Sequence, residues 1–161
     1  MKKTGYAAPA RPAKKEFAGV RIALVATRWN SGIVDALLAG ARAGLKAWGV
    51  AAGCIHEFRV PGAFEIPLAL EHLARSRRYD GAVALGAVIR GDTPHFEYVA
   101  GECARGLQDV ALRHVLPVGF GVLTVDTVAQ AMARARPGKS NKGYESACAM
   151  LEMVRFKRES A

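Results

Sequence analysis

The chain has 161 residues, of which 51% are hydrophobic, 23% charged and 7% aromatic, the proportions of an ordinary globular domain and not of a disordered, collagen-like or disulfide-dense chain. No apolar run approaches the ~20 residues that cross a bilayer, and the stretch from Met1 to Glu16 lacks the apolar centre of a signal peptide, so a cytoplasmic protein without a membrane partner is expected. Of the net charge of +9, five positive charges (Lys2, Lys3, Arg11, Lys14 and Lys15) sit in a leading segment without an acid, and the +4 left over residues 16–161 is compatible with nucleic acid and also with an anionic metabolite. Residues 1–15 therefore read as a flexible basic arm ahead of a single domain over residues 16–161.

From Val20 the chain alternates between two patterns. Val20 to Thr27 is a β-branched apolar run of strand length. Asn30 or Ser31 can cap a helix whose positions Ile33, Leu37, Ala41, Leu45 and Trp48 keep helical spacing, and Gly49 ends it. A second strand is predicted over Gly53 to Val60, then a turn at Pro61-Gly62 and a helix from Pro67 to Ser76. Gly81 to Ile89 is uncharged throughout, as expected of a strand covered on both faces. Arg90 to Pro94 breaks it, and a helix follows with Phe96, Val99, Cys103, Leu107 and Val110 on one face. A fourth strand spans Pro117 to Val125, and helices near Thr127 to Arg136 and Asn141 to Lys157 are divided by Pro137-Gly138. Four strand–helix alternations predict a flavodoxin-like three-layer α/β/α fold, with a four-stranded parallel sheet and helices on both faces.

Ligands of such sheets bind beyond the C-terminal ends of the strands, which directs attention to four segments. Gly91, Asp92 and Thr93 lie between a buried strand and a helix start, where free N–H groups and the helix dipole favour a phosphate; capping alone explains the segment equally well. His95 follows in the first helical turn, where an imidazole can move protons near neutral pH, although isolated histidines are more often surface residues. Trp29 follows the first strand and can stack on a planar heterocycle, with core packing the plainer expectation. Glu65, beside the small residues of Pro61-Gly62-Ala63, can accept hydrogen bonds from sugar-like hydroxyls or merely favour a helix N-terminus.

Two familiar motifs fail. Gly138-Lys139-Ser140 resembles the end of a P-loop, but position 133 is Ala and the preceding segment is helical. Gly119-Phe120-Gly121 runs on into a strand with no third glycine opening a helix. The histidines show no metal-ligand spacing, and Cys54, Cys103 and Cys148 read as reduced core residues. No metal and no cofactor are expected.

Taken together, Arg28-Trp-Asn30, Val60-Pro-Gly-Ala-Phe-Glu-Ile-Pro67, the run from Gly86 to Val99, Phe120-Gly-Val-Leu-Thr124 and Asn141-Lys-Gly143 resemble the 6,7-dimethyl-8-ribityllumazine synthase family of riboflavin biosynthesis, over about Val20 to Lys157. The resemblance implies a cofactor-free condensation of two small molecules, 5-amino-6-(D-ribitylamino)uracil and 3,4-dihydroxy-2-butanone 4-phosphate, with loss of phosphate and water. It implies that Trp29 stacks on the pyrimidine, that Ala63 and Glu65 hold the ribityl chain, and that backbone groups at Val88 and Ile89 bind the uracil edge. Gly91, Asp92 and Thr93 would cradle the phosphate and His95 would transfer protons. Phe120, Arg134 and Lys142 match residues that an adjacent subunit supplies in a homo-oligomer with shared sites. Among the family's pentamers, decamers and sixty-subunit shells, a pentamer building a sixty-mer is expected here.

Two rival classes remain for comparison. A nucleic-acid binder would use the basic arm with Arg75, Arg77 and Arg78, but no RNA-recognition signature accompanies them, so no nucleic-acid partner is expected. A shell-forming relative without turnover would not need Trp29, Glu65, His95, Arg134 and Lys142 together.

Overall fold

The computed structural model describes residue 9 and residues 12–161, so most of the predicted arm lies outside the described residues. Four parallel strands, β1 (Ile22–Thr27), β2 (Ile55–Val60), β3 (Gly81–Ile89) and β4 (Val118–Val125), form one sheet in the order β2-β1-β3-β4. They alternate with helices α1 (Ser31–Ala47), α2 (Ile66–Arg75), α3 (His95–His114), α4 (Val128–Arg134) and α5 (Lys142–Glu159). Strand alternation sends Ile22, Leu24 and Ala26 to one face, packed with α1, α4 and α5, and Ala23 and Val25 to the other, packed with α2 and α3. The predicted three-layer α/β/α architecture is what forms. No helix of the described residues is long and apolar enough to cross a membrane.

Several boundaries differ from the sequence reading for physical reasons. Residues Ala52–Cys54, predicted as strand, form a single 3-10 turn, because the ladder with β1 begins only at Ile22↔Ile55. α4 stops at Arg134, two residues before the predicted end, since Pro137 and Gly138 at φ 121° leave room for only a short helix before the turn. Neither Asn30 nor Ser31 caps α1 with its side chain; Asn30 instead adopts a left-handed conformation, φ 57° and ψ 43°. Gly49, at φ 83°, does end that helix. Cys103 and Cys148 are core residues as expected, and burial pushes their thiols up to about 12 and about 11. Cys54 is free but only half-buried, on the 3-10 turn rather than in the core.

The domain begins by residue 17 at the latest. Phe17 is fully buried and packs on Trp48 with ring centroids 5.6 Å apart, and the Arg155 guanidinium holds the Glu16 carboxylate at 2.5 Å. The two glycines that mimic a dinucleotide motif serve packing instead. A Cβ at Gly119 would lie 2.5 Å from the Ser146 carbonyl, and one at Gly121 would lie 2.8 Å from that of Ala84, so both admit neighbouring backbone.

Candidate active site

The strand order places a switch between β1 and β3, whose following connections leave in opposite directions: α1 covers one face and α3 the other. A crevice opens at such a point. Here it is a cleft of about 630 Å³ lined by Trp29 and Asn30 after β1, Gly62 to Glu65 after β2, Ala87, Val88 and Ile89 at the end of β3, and Gly91, Thr93 and His95 after it. Of the sequence-predicted residues, Trp29, Ala63, Glu65, Val88, Ile89, Gly91, Thr93 and His95 thus share one wall system. Asp92 lies between two lining residues and is exposed without lining the cleft.

Trp29 is 73% exposed, which overturns core packing as its role. Its ring rests against Gly62, where a Cβ would lie 3.2 Å from Trp29 Cδ1. The same Gly62 donates its N–H to Glu65 Oε2 at 2.9 Å. Glu65 therefore takes up the helix-start role the sequence allowed. One oxygen ties the turn at the start of α2, and the other makes no hydrogen bond among the described residues.

One end of the cleft is formed by the loop that carries Gly91 and Thr93 into α3. Nothing lies within 4 Å of a Cβ placed on Gly91, and its φ is outside the left-handed region. The fold itself does not demand glycine there; the gain is close approach to the Gly91 backbone from the open side. The start of α3, a helix of 20 residues, adds the positive end of its dipole. The neighbouring Arg90 does not add free charge. It pairs with Glu97 and, at 3.0 Å, with Asp126, while its guanidinium stacks 4.3 Å from the centre of the Phe96 ring. Those carboxylates, Glu97 first, raise the Arg90 pKa, and Arg90 in return holds Glu97 below the usual carboxylate range. An anion at Gly91 to Thr93 thus finds amides and a dipole but no uncommitted arginine from this loop.

His95 is exposed, and its imidazole has no hydrogen-bond partner among the described residues. Only its backbone N–H approaches Thr93 Oγ1, at 3.5 Å, which is long. The ring is free to meet a substrate rather than engaged in the fold.

Phe120, Arg134 and Lys142 are not brought to this cleft. Phe120 lies on β4, the strand at the far edge of the sheet, and is 47% exposed. Arg134 ends α4 and donates to its own helix at Gln130 O, 3.0 Å away. Lys142 opens α5 and pairs with Glu145 at 2.5 Å. Lining residues that the sequence reading did not name as site residues include Asn30, Phe64, Ala87, Phe96, Tyr98 and Val99. Phe96 and Val99 looked like core by spacing; both are only half-buried, and Val99 packs against the α2/α3 core while also lining the cleft.

The 6,7-dimethyl-8-ribityllumazine synthase family matches residues 19–158 of this chain. A protein of that name from Desulfovibrio desulfuricans (strain ATCC 27774 / DSM 6949 / MB) is 50% identical over 137 residues, 85% of this chain and 88% of the relative. The chain belongs to the 6,7-dimethyl-8-ribityllumazine synthase family. It is accordingly a transferase of riboflavin biosynthesis, on the fold its sequence predicted. The lumazine synthase match spans all four strands and all but the last residue of α5, so both the cleft and the three residues remote from it fall inside the matched region.

Proposed function

We propose that the β1/β3 cleft is where this lumazine synthase joins 5-amino-6-(D-ribitylamino)uracil to 3,4-dihydroxy-2-butanone 4-phosphate, and that an adjacent subunit completes it. The observation that carries this reading is the division of the residues: an aromatic plate, a half-committed carboxylate, an anion cradle and a free imidazole share one cleft, whereas Phe120, Arg134 and Lys142 sit on other elements.

Trp29 stacks on the pyrimidine, Ala63 and Glu65 hold the ribityl chain, and backbone groups at Val88 and Ile89 read the uracil edge. Gly91, Asp92 and Thr93 receive the phosphate, whose charge calls for the cation that Arg90 cannot give; Arg134 of a neighbour supplies it, and Lys142 lies against the pyrimidine. The 5-amino group attacks the ketone and one water leaves to form the imine, phosphate is eliminated, and the ribitylamino nitrogen then closes the ring on the resulting carbonyl with loss of a second water. His95 carries protons between these steps. Most of the acceleration comes from holding two substrates in register, since no step needs a protein nucleophile.

Mixing the purified protein with both substrates and following lumazine absorbance tests the reaction. Inorganic phosphate tests the cradle, because an anion that binds only the folded state raises the melting temperature. Phosphate is expected to protect the wild type and to protect Arg134→Ala less; equal protection of both would remove Arg134 from the anion site.

A further inference from the structure

An indole as exposed as Trp29 has several rotamers open to it, so its use as a stacking plate requires a fixed backbone beneath it. It also stands between two spaces. Beside the substrate cleft lies a larger one of about 950 Å³, lined by Arg28, Ile33, Ala36 and Met132, with Trp29 on its wall as well. Two hydrogen bonds hold the Trp29 backbone itself, and a third, from the Asn30 side chain, anchors the residue after it. Trp29 N–H donates to Pro61 O at 3.2 Å, Thr27 Oγ1 donates to Trp29 O at 3.3 Å, and Asn30 Nδ2 donates to Ala87 O at 2.9 Å. The last is the costly one. Asparagine is among the best helix N-caps, yet Asn30 leaves α1 without a side-chain cap and takes a left-handed φ of 57° to reach across the sheet. Its target lies two residues beyond Ala26↔Leu85, the last pair of the β1–β3 ladder. We propose that Asn30 is a positioning residue, whose bridge to Ala87 closes the β1/β3 switch point and holds Trp29 on the substrate side of the partition between the two clefts.

The proposal rests on the reading that Trp29 stacks on the pyrimidine, and a double-mutant cycle separates the two. Asn30→Gly keeps the left-handed backbone without strain and deletes the bridge; Asn30→Asp keeps size and turn preference but presents an acceptor to the Ala87 carbonyl. Each is expected to raise the KM and the calorimetric Kd for 5-amino-6-(D-ribitylamino)uracil by about three- to tenfold, the worth of one hydrogen bond. The KM for the butanone phosphate should stay within about twofold, since its cradle lies in the β3–α3 connection, beyond the Ala87 contact. In a Trp29→Ala background Asn30→Gly should add nothing, because it acts through the indole. The same fold-loss in that background, an unchanged uracil KM, or a parallel rise in both KM values would overturn the positioning role. If Trp29→Ala itself leaves the uracil KM unchanged, stacking fails first and the proposal falls with it.

Discussion

A histidine that holds nothing in the fold can be replaced without cost to it. The His95 imidazole has no partner among the described residues and stands exposed at the start of α3, so His95→Gln should leave the melting temperature and the assembled mass unchanged. Turnover should fall about ten- to a thousandfold, the range expected when one proton carrier among several contributions is removed. Single-turnover absorbance under saturating substrates makes the comparison, and a rate equal to wild type would exclude His95 from the chemistry. The contrast with Arg90 is instructive. Both flank the Gly91 to Thr93 loop, but Arg90 is engaged by Glu97, Asp126 and the Phe96 ring, so charge near a site is not charge available to it. Sequence spacing cannot make that distinction, because Asp126 comes from the end of a different strand.

Elements are held by a few polar groups that the hydrophobic pattern does not reveal. Asn141 is 1% exposed; its Oδ1 accepts from Gly143 N–H at 2.8 Å and Tyr144 N–H at 3.3 Å, while Nδ2 donates to Ala135 O at 2.8 Å and Ala36 O at 3.2 Å. One side chain therefore caps α5, closes the link from α4 and fastens both to α1. Gly40 makes room for it, since a Cβ there would lie 2.0 Å from its Oδ1. Asn141→Ala should cost about 2–4 kcal/mol, a cap of ~1 together with ~1–3 for carbonyls left buried and unpaired, read as a lowered urea midpoint. On the opposite layer Glu71 of α2 accepts from Arg75 at 2.9 Å, from Arg113 at 3.1 Å and from His114 at 3.0 Å, the last two on α3. Hydrogen bonds from His114 and then Arg75 hold its carboxyl below the usual range. A lowered folded-state pKa gives stability that is complete above the unfolded value of about 4.3 and is lost as pH falls through the folded value. Glu71→Gln should accordingly flatten the fall of melting temperature below about pH 4.3. These networks explain what was legible. β3 was read to the residue because an uncharged run is bounded by Asp80 and Arg90, and the layers followed from alternation. The exposure of Trp29 and the diversion of Asn30 were not, because each depends on Pro61, Gly62 or Ala87, which only the folded sheet brings near.

At the scale of the molecule, the cleft is lined by residues that follow or end β1, β2 and β3 and by the start of α3, while Phe120, Arg134 and Lys142 stand on β4, α4 and α5 outside that lining. Two different surfaces that complete one another from chain to chain make a heterologous contact, and when the rotation closes the result is a ring with one site at each interface. Mixing two damaged chains tests this without knowing the ring's size. Chains carrying Glu65→Ala and chains carrying Arg134→Ala, each nearly inactive alone, are unfolded and refolded together in equal amounts, with native mass measurement confirming mixed assemblies. An intact site needs an undamaged Glu65 from one chain and an undamaged Arg134 from the next. Random placement satisfies both at about a quarter of the interfaces, so lumazine formation should recover to about a quarter of the wild-type rate. A site closed within one chain predicts no recovery, because every chain still carries a lesion. Activity in confirmed mixed assemblies no higher than the mean of the two separate variants would therefore return Arg134 to its plain role at the end of α4.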